Sequence, residues 1–341
     1  MVFPIFVLND KLSNMLRIPV FLVLLTTFNL SVLAQTDSDF KLALPDHQGQ
    51  LSWSTEGFRV IESSAKPNGR EIGIRGKDES GRLTFLGFLF LVPEQAPLSS
   101  AKCRDSALAP EKKGNPTLKI SGIADSVQPA SPRASLVTYS SQDRSGKTVY
   151  MVRGFVASGD ICGDLEFYSY APISADEADL KKIFASYRLD ERYVPQFKDE
   201  LVYAQILYKA RMYKAAAPIF EIALAKLNEN PGTDAKTMRR VVTDQAGMAY
   251  GMAGDTLKAR TIFEKAVSQD PDYPLNYYNL ACADAEDKNL SGAKDYLQKA
   301  FARKSNVLPG ESMPDPTKDD SFLPYRDDKD FWAFLEKLAG K

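Results

Sequence analysis

Hydrophobic residues follow two different periods along the chain. Between residues 35 and 192 they come in strand-length runs: FRVIESS, REIGIRG, RLTFLGFLFLV, TLKISGIA, SLVTYSS, TVYMVRGFVA and DLEFYSYA. These runs are rich in β-branched and aromatic residues and are broken by turn residues, which predicts strands. DESGR and QDRSGK put glycine where a hairpin turn needs positive φ. A short helix is predicted over 97–108. A second is predicted from Ser174, with Glu177 completing a capping box and Leu180, Ile183, Phe184 and Tyr187 on its buried face. The expectation for 35–192 is an α+β domain, an antiparallel sheet with helices against it.

From about residue 193 the period becomes helical. Ala259, Phe263 and Ala266 recur 34 positions later as Ala293, Leu297 and Ala300, with size and polarity kept; Gly254 recurs as Lys288, which keeps neither. A weaker copy lies upstream at Ala216, Phe220 and Ala223, offset by the polar insertion NENPGTD. This helical region spans 193–305, and 306–341 forms a tail. In the tail, Asp327 or Asp328 can cap a helix that places Phe331, Phe334, Leu335 and Leu338 on one face.

The residues of the central copy resemble the tetratricopeptide repeat (TPR). Small Gly247, aromatic Tyr250, turn-forming Gly254, then Ala259, Phe263 and Ala266, with Pro271 as a stop, follow that pattern. The third copy resembles it through Leu280, Ala281, Ala293, Leu297 and Ala300, and departs from it at Asp284 and Lys288. The first copy keeps Ala204, Tyr213, Ala216, Phe220 and Ala223. The resemblance implies an all-α solenoid of about three helix pairs ending in a capping helix, and a protein or peptide partner. In TPR proteins the first helix of each repeat lines the binding groove. Here that implies Leu201, Gln205 and Tyr208, then Val241, Asp244, Met248 and Met252, then Leu275, Tyr278 and Cys282. Leu201, Met248 and Leu275 replace the polar clamp that carboxylate-binding members use, so an apolar or amphipathic segment is the expected occupant. With only three repeats, packing of these residues against the tail helix is an equal expectation. The helix ending KKIFASYRL, after the last strand of the first domain, resembles the close of PsbP-like α/β sandwiches, which implies an exported assembly domain without catalytic residues.

The N-terminus carries Arg17 before IPVFLVLLTTFNLSVLA, with small residues at Val32 and Ala34. This is the pattern of a signal peptide over 1–34, with Gln35 as the mature start and Met15 as the better initiator. No membrane span is expected after cleavage, and the location would be periplasmic or secreted. An oxidising compartment permits a Cys103–Cys162 bridge, while Cys282, inside NLACADA, reads as a buried free thiol.

A net charge of −1 without basic-aromatic arrays excludes a nucleic-acid footprint. The single histidine, His47, belongs to no catalytic motif, and GxSxG, HExxH, CxxC and phosphate-loop patterns are absent. Asp160, Asp164 and Glu166 lie close together but read as solvated strand-edge carboxylates. Neither a metal nor a cofactor is expected. The favoured function is a non-enzymatic interaction scaffold or assembly factor of the cell envelope. The alternative is an enzyme or small-ligand binder seated in the first domain, with the helical array as a docking arm.

Overall fold

A computed structural model describes residues 39–54, 56–127 and 133–340. The expected export segment, with Met15 and the Ala34 cleavage site, lies outside the described residues. The chain forms two compact units that divide between Ala210 and Arg211. Among the described residues, no helix is long and apolar enough to cross a membrane.

In the first unit, strands β3 (Phe58–Ala65), β4 (Glu71–Asp78), β5 (Thr84–Leu91), β6 (Lys119–Val127), β7 (Ala134–Gln142), β8 (Thr148–Ser158) and β9 (Ile161–Ser169) make one antiparallel sheet. Its order is β3-β4-β5-β9-β8-β7-β6. All seven strands come from the seven runs read in the sequence. Gly81 and Gly146 take φ of 73° and 82° in the two expected hairpin turns. Three short strands were not expected: β1 (Asp39–Ala43), β2 (Gln50–Ser54) and β10 (Arg188–Asp190), which form a separate small sheet.

The small sheet and helix α2 (Ala178–Ser186) cover one face of the large sheet. Phe40 and Trp53 meet Phe85 edge-on or tilted, and Phe167 meets Phe184. Gly87 is required here because the Trp53 ring occupies the space a Cβ would fill. Leu180, Ile183, Phe184 and Tyr187 are all buried, as their spacing predicts. The helix itself starts four residues later than expected. Ser174 Oγ accepts from the Asp176 amide in a turn, and Glu177 reaches back to the Ser174 amide from the N-cap position.

Helix α1 (Ser100–Gly114) lies on the other face, where the expectation was 97–108. Its start is fixed by Ser99, whose hydroxyl accepts from the Lys102 amide. Cys103 and Leu108 pack on Val137, Tyr139, Phe155 and Cys162. Cys103 and Cys162 are bridged, with Cα atoms 5.9 Å apart. A third helix, α3 (Phe197–Lys209), also belongs to this unit. The Tyr203 hydroxyl donates to the carbonyls of Lys66 and Glu71 at the β3–β4 turn, at 2.7 and 3.0 Å. The sheet unit therefore runs one helix beyond the boundary at 192 read from the sequence.

The second unit contains α4 (Tyr213–Glu229), α5 (Ala235–Met252), α6 (Thr256–Gln269), α7 (Pro274–Glu286), α8 (Leu290–Ala302) and α9 (Lys329–Ala339). Its repeat is visible in the backbone. Gly254 and Lys288 both take positive φ, of 88° and 61°, at equivalent turns between paired helices. Lys288, the sequence departure, thus keeps the left-handed geometry that glycine supplies in the central copy. Asp255 and Asn289, also 34 apart, each cap the following helix by accepting an amide, from Lys258 and Gly292. Phe263 is buried, and the tip of its ring takes the space where a Gly247 side chain would stand. The tail helix α9 is capped by Asp328, which accepts from the Phe331 amide at 2.9 Å. Phe331 and Leu335 are buried against α7 and α8, with Phe334 and Leu338 partly so. The architecture is an α+β unit followed by a TPR-like helical array with a terminal capping helix.

Candidate functional site

The residues expected to line a binding groove separate into three groups. Leu201 is buried on α3, with Gln205 and Tyr208 half-buried on the same helix, and all three belong to the sheet unit. Val241, Asp244, Met248 and Met252 are half-buried on α5. Met248 packs beside Ala259, Phe263 and Leu280, so one side of it belongs to the core of the repeat. Leu275 is half-buried on α7, whereas Tyr278 and Cys282 are buried.

Tyr278 and Cys282 do not face an open groove. The segment between α8 and α9 lies along α7 and covers them. Beginning near the first turn of α7, the Tyr273 hydroxyl donates to Glu311 at 3.0 Å. Midway, the Tyr278 hydroxyl donates to Asp319 Oδ2 at 3.0 Å, and the Cys282 thiol stands 3.9 Å from the same oxygen. The Phe322 ring meets Tyr278 edge-on at 6.0 Å. At the last turn, Ser321 Oγ donates to Glu286 and the Tyr325 hydroxyl donates to the Ala285 carbonyl. This strap thus runs parallel to α7 for its whole length. The sequence missed it because its two short 3₁₀ turns, Pro316–Lys318 and Leu323–Tyr325, have no period to detect.

The strap and α7 meet mostly through acids. Burial pushes the Asp319 carboxyl up, against hydrogen bonds from Ser321 and Tyr278 that favour its ionised form. Burial also raises Glu286 and the Cys282 thiol. On α5, burial pushes Asp244 up to about 6, offset by a 2.6 Å hydrogen bond from the Asn279 amide. Asp319 has no ion pair among the described residues; the neighbouring Lys318 pairs with Asp315 at 3.6 Å.

A second polar cluster lies in the sheet unit. Asp164 is buried and Glu166 is mostly so, which corrects the reading from the sequence. Both alternate with Cys162 along β9 and share the face that α1 covers. Arg153, opposite Glu166 on β8, holds Asp164 with two bonds of 2.8 and 2.6 Å and reaches Glu111 of α1 at 2.5 Å. Glu166 stands 3.5 Å from the same guanidinium and is 16% exposed. Asp160 lies apart in the β8–β9 turn, 3.1 Å from His47 Nε2. The detectable signal was the disulfide: a helix tethered to Cys162 must cover the face that Asp164 and Glu166 share. Among the described residues, no group of three potential ligands is placed to hold a metal ion.

Three carboxylates around one guanidinium leave Glu166 short of a cation. Burial, offset in part by Arg153, pushes it up to about 7 from an ordinary 4.5. A carboxyl raised on folding contributes stability that is present below its unfolded value and is lost as pH rises through its folded one. Glu166→Gln removes that loss. Its melting midpoint should match wild type near pH 4, and the variant should be more stable by about 2–3 kcal/mol at pH 8. Parallel midpoint curves for the two proteins across this range would rule the assignment out.

No protein-family model matches the chain, and no curated protein does. Solved structures similar to it include the TPR domain of Sgt2 from Aspergillus fumigatus, at 19% identity, covering 42% of this chain and 78% of that one with a TM-score of 0.29. PcrH from Pseudomonas aeruginosa is similar at 15% identity, covering 42% of this chain and 90% of that one with a TM-score of 0.30. A protein from Bacteroides thetaiotaomicron is similar at 11% identity, covering 60% of this chain and 77% of that one with a TM-score of 0.27.

Proposed function

We propose that the chain is an exported, non-enzymatic interaction scaffold of the cell envelope, and that its helical array receives an apolar segment of a partner protein along α5. The observation that carries this reading is the first-helix face of the array. Val241, Met248 and Met252 follow one another on α5 as half-buried apolar side chains, beside an α7 face that already takes an extended segment. Methionine adapts its shape to apolar ligands, which suits a surface that receives a segment of another protein. The bridged Cys103–Cys162 pair supports an oxidising location for the sheet unit. A PsbP-like reading of that unit draws its support from the antiparallel sheet closed by α2.

The test is affinity purification with crosslinking, using the mature protein in its native envelope fraction. Val241→Glu and Met248→Glu, each made singly, should reduce partner recovery at least tenfold, because an unpaired carboxylate is costly to desolvate against an apolar segment. Circular dichroism should show unchanged helix content. Full recovery of the same partners by both folded variants would exclude α5 as the binding face.

A second reading rests on one observation. Glu166 combines partial exposure with a carboxyl that titrates near neutrality, as a proton-transfer or amine-binding group requires. It favours a small-ligand site in the sheet unit, with the helical array as its docking arm.

A further inference from the structure

We infer that the strap, residues 308–325, is the resident occupant of the α7 binding face, opens without unfolding of the array, and displays the chemistry an external segment must match to replace it. This deepens the scaffold reading for its biological role, but its test needs no partner.

Three features separate the strap from an ordinary piece of core. The first is its form: an extended, proline-bearing segment that follows a helix face over its full length, in the manner of a bound peptide. Its contacts along α7 come in chain order, Glu311 on Tyr273, Asp319 on Tyr278, and Tyr325 on the Ala285 carbonyl. The second is its anchoring. The helices on either side, α8 and α9, pack on one another through Ala293, Leu297, Phe331 and Leu335, which ties the strap at both ends, and α9 also rests on the strap itself at Pro316–Lys318, Phe322 and Tyr325.

The third is charge. The groups that act most on Asp319 are neutral or acidic. From α7 these are Tyr278 and Cys282, with Glu286 joined to the strap through Ser321. From the strap it is Asp320, while Asp315 acts on the Tyr278 hydroxyl and has Lys318 as its own counter-ion at 3.6 Å. Helix α9 packs on the Pro316–Lys318 turn and forms no ion pair with Asp319. A carboxylate closed against other carboxylates opposes closure once ionised. Because Asp319 is raised in the closed state, rising pH favours opening.

The strap defines what can replace it. A competing segment needs an acceptor for the Tyr278 hydroxyl, then an aromatic ring three residues on to meet the Tyr278 face, as Asp319 and Phe322 provide. Covalent attachment gives the strap a high effective concentration, so a competitor gains access through the transiently open state.

Cys282 reports the opening directly. It is buried beneath the strap, and the other two cysteines are bridged, so the oxidised full chain has one free thiol. Iodoacetamide labelling is followed in urea below the unfolding transition, with rates corrected to a model thiol at each pH. Local opening gives labelling at least tenfold faster than global unfolding allows, with a rate that barely changes with urea. The corrected rate should rise with pH as Asp319 ionises, and Asp319→Asn should flatten that rise. A synthetic peptide of residues 313–326 at millimolar concentration should slow labelling at least twofold by occupying the opened face. The same peptide with alanine at the positions of Asp319 and Phe322 should not. Labelling that follows urea with the slope of global unfolding would overturn the strap's independent opening. Absence of peptide protection would overturn its role as a ligand mimic.

Discussion

Phe263→Ala should destabilise the helical unit by about 3–5 kcal/mol, the usual cost of truncating a buried aromatic ring. Phe263 is 3% exposed and packs with Ala259 and Leu280, flanked by Met248, Tyr250, Val267 and Tyr296. Its ring fills the space left by the absent Gly247 side chain, so two helices approach each other through it. Their capped turns, at Gly254 and Asp255, hold that approach and limit collapse into the cavity. A repeat array has only nearest-neighbour interfaces, which leaves no second core to compensate. Urea unfolding followed by circular dichroism reads the effect on the helical unit. A loss below about 1 kcal/mol would show that Phe263 is not a core residue.

The features of the array that follow from periodicity were legible in the sequence. Ala259, Phe263 and Ala266 announce helix contacts because small and large residues must alternate where helices cross. The C-terminal helix announced itself through Phe331, Phe334, Leu335 and Leu338. Lys288 looked like a break in the pattern, yet its backbone holds the left-handed turn of its repeat. Side-chain identity is a weak guide there, since a lysine can occupy that conformation at modest cost. Tyr278 and Cys282 could not be assigned from sequence, because an apolar first-helix position looks the same whether it faces a partner or the chain's own strap. Only the path of an aperiodic segment further down the chain, at separations of 37 and 41 for its Asp319 contacts, decides between the two.

The sheet unit was legible where strands are long. The seven runs became seven strands because eight or more alternating residues give a period that can be counted. Strands β1, β2 and β10 span five, five and three residues, too few for a period, and β10 pairs with β2 from far along the chain. The polar residues of β9 misled for a different reason. Alternating Asp164 and Glu166 suggest a solvent face, but Arg153 on the neighbouring strand pairs with them and α1 excludes water above. Buried charge of this kind is recognised from the partner strand and the covering helix together.

Loss of the disulfide should cost nearly as much as loss of Phe263. Cys162→Ser should lower the stability of the sheet unit by about 2–5 kcal/mol. The bridge closes a loop with a sequence separation of 59, for which chain entropy alone gives about 4 kcal/mol. Its position adds a second consequence. Cys103 fixes the first turn of α1 to β9, and Glu111, two turns on, bonds Arg153 at 2.5 Å. Without the bridge, α1 is held by Leu98 and Leu108, its side-chain contacts with Arg153 and Tyr139, and the Arg104 bonds to Ser135 and Asp125. Fraying of α1 would expose Asp164 and Glu166 to water and return the Glu166 carboxyl toward its ordinary range. Calorimetry of the full chain should therefore show one destabilised transition in Cys162→Ser and in reduced wild type alike, while reductant leaves the Cys162→Ser variant unchanged. Cys282→Ser leaves the bridge intact, so reductant should lower that variant by the same increment as wild type. If reduction shifts Cys162→Ser as much as wild type, the bridge is not the source of the stability.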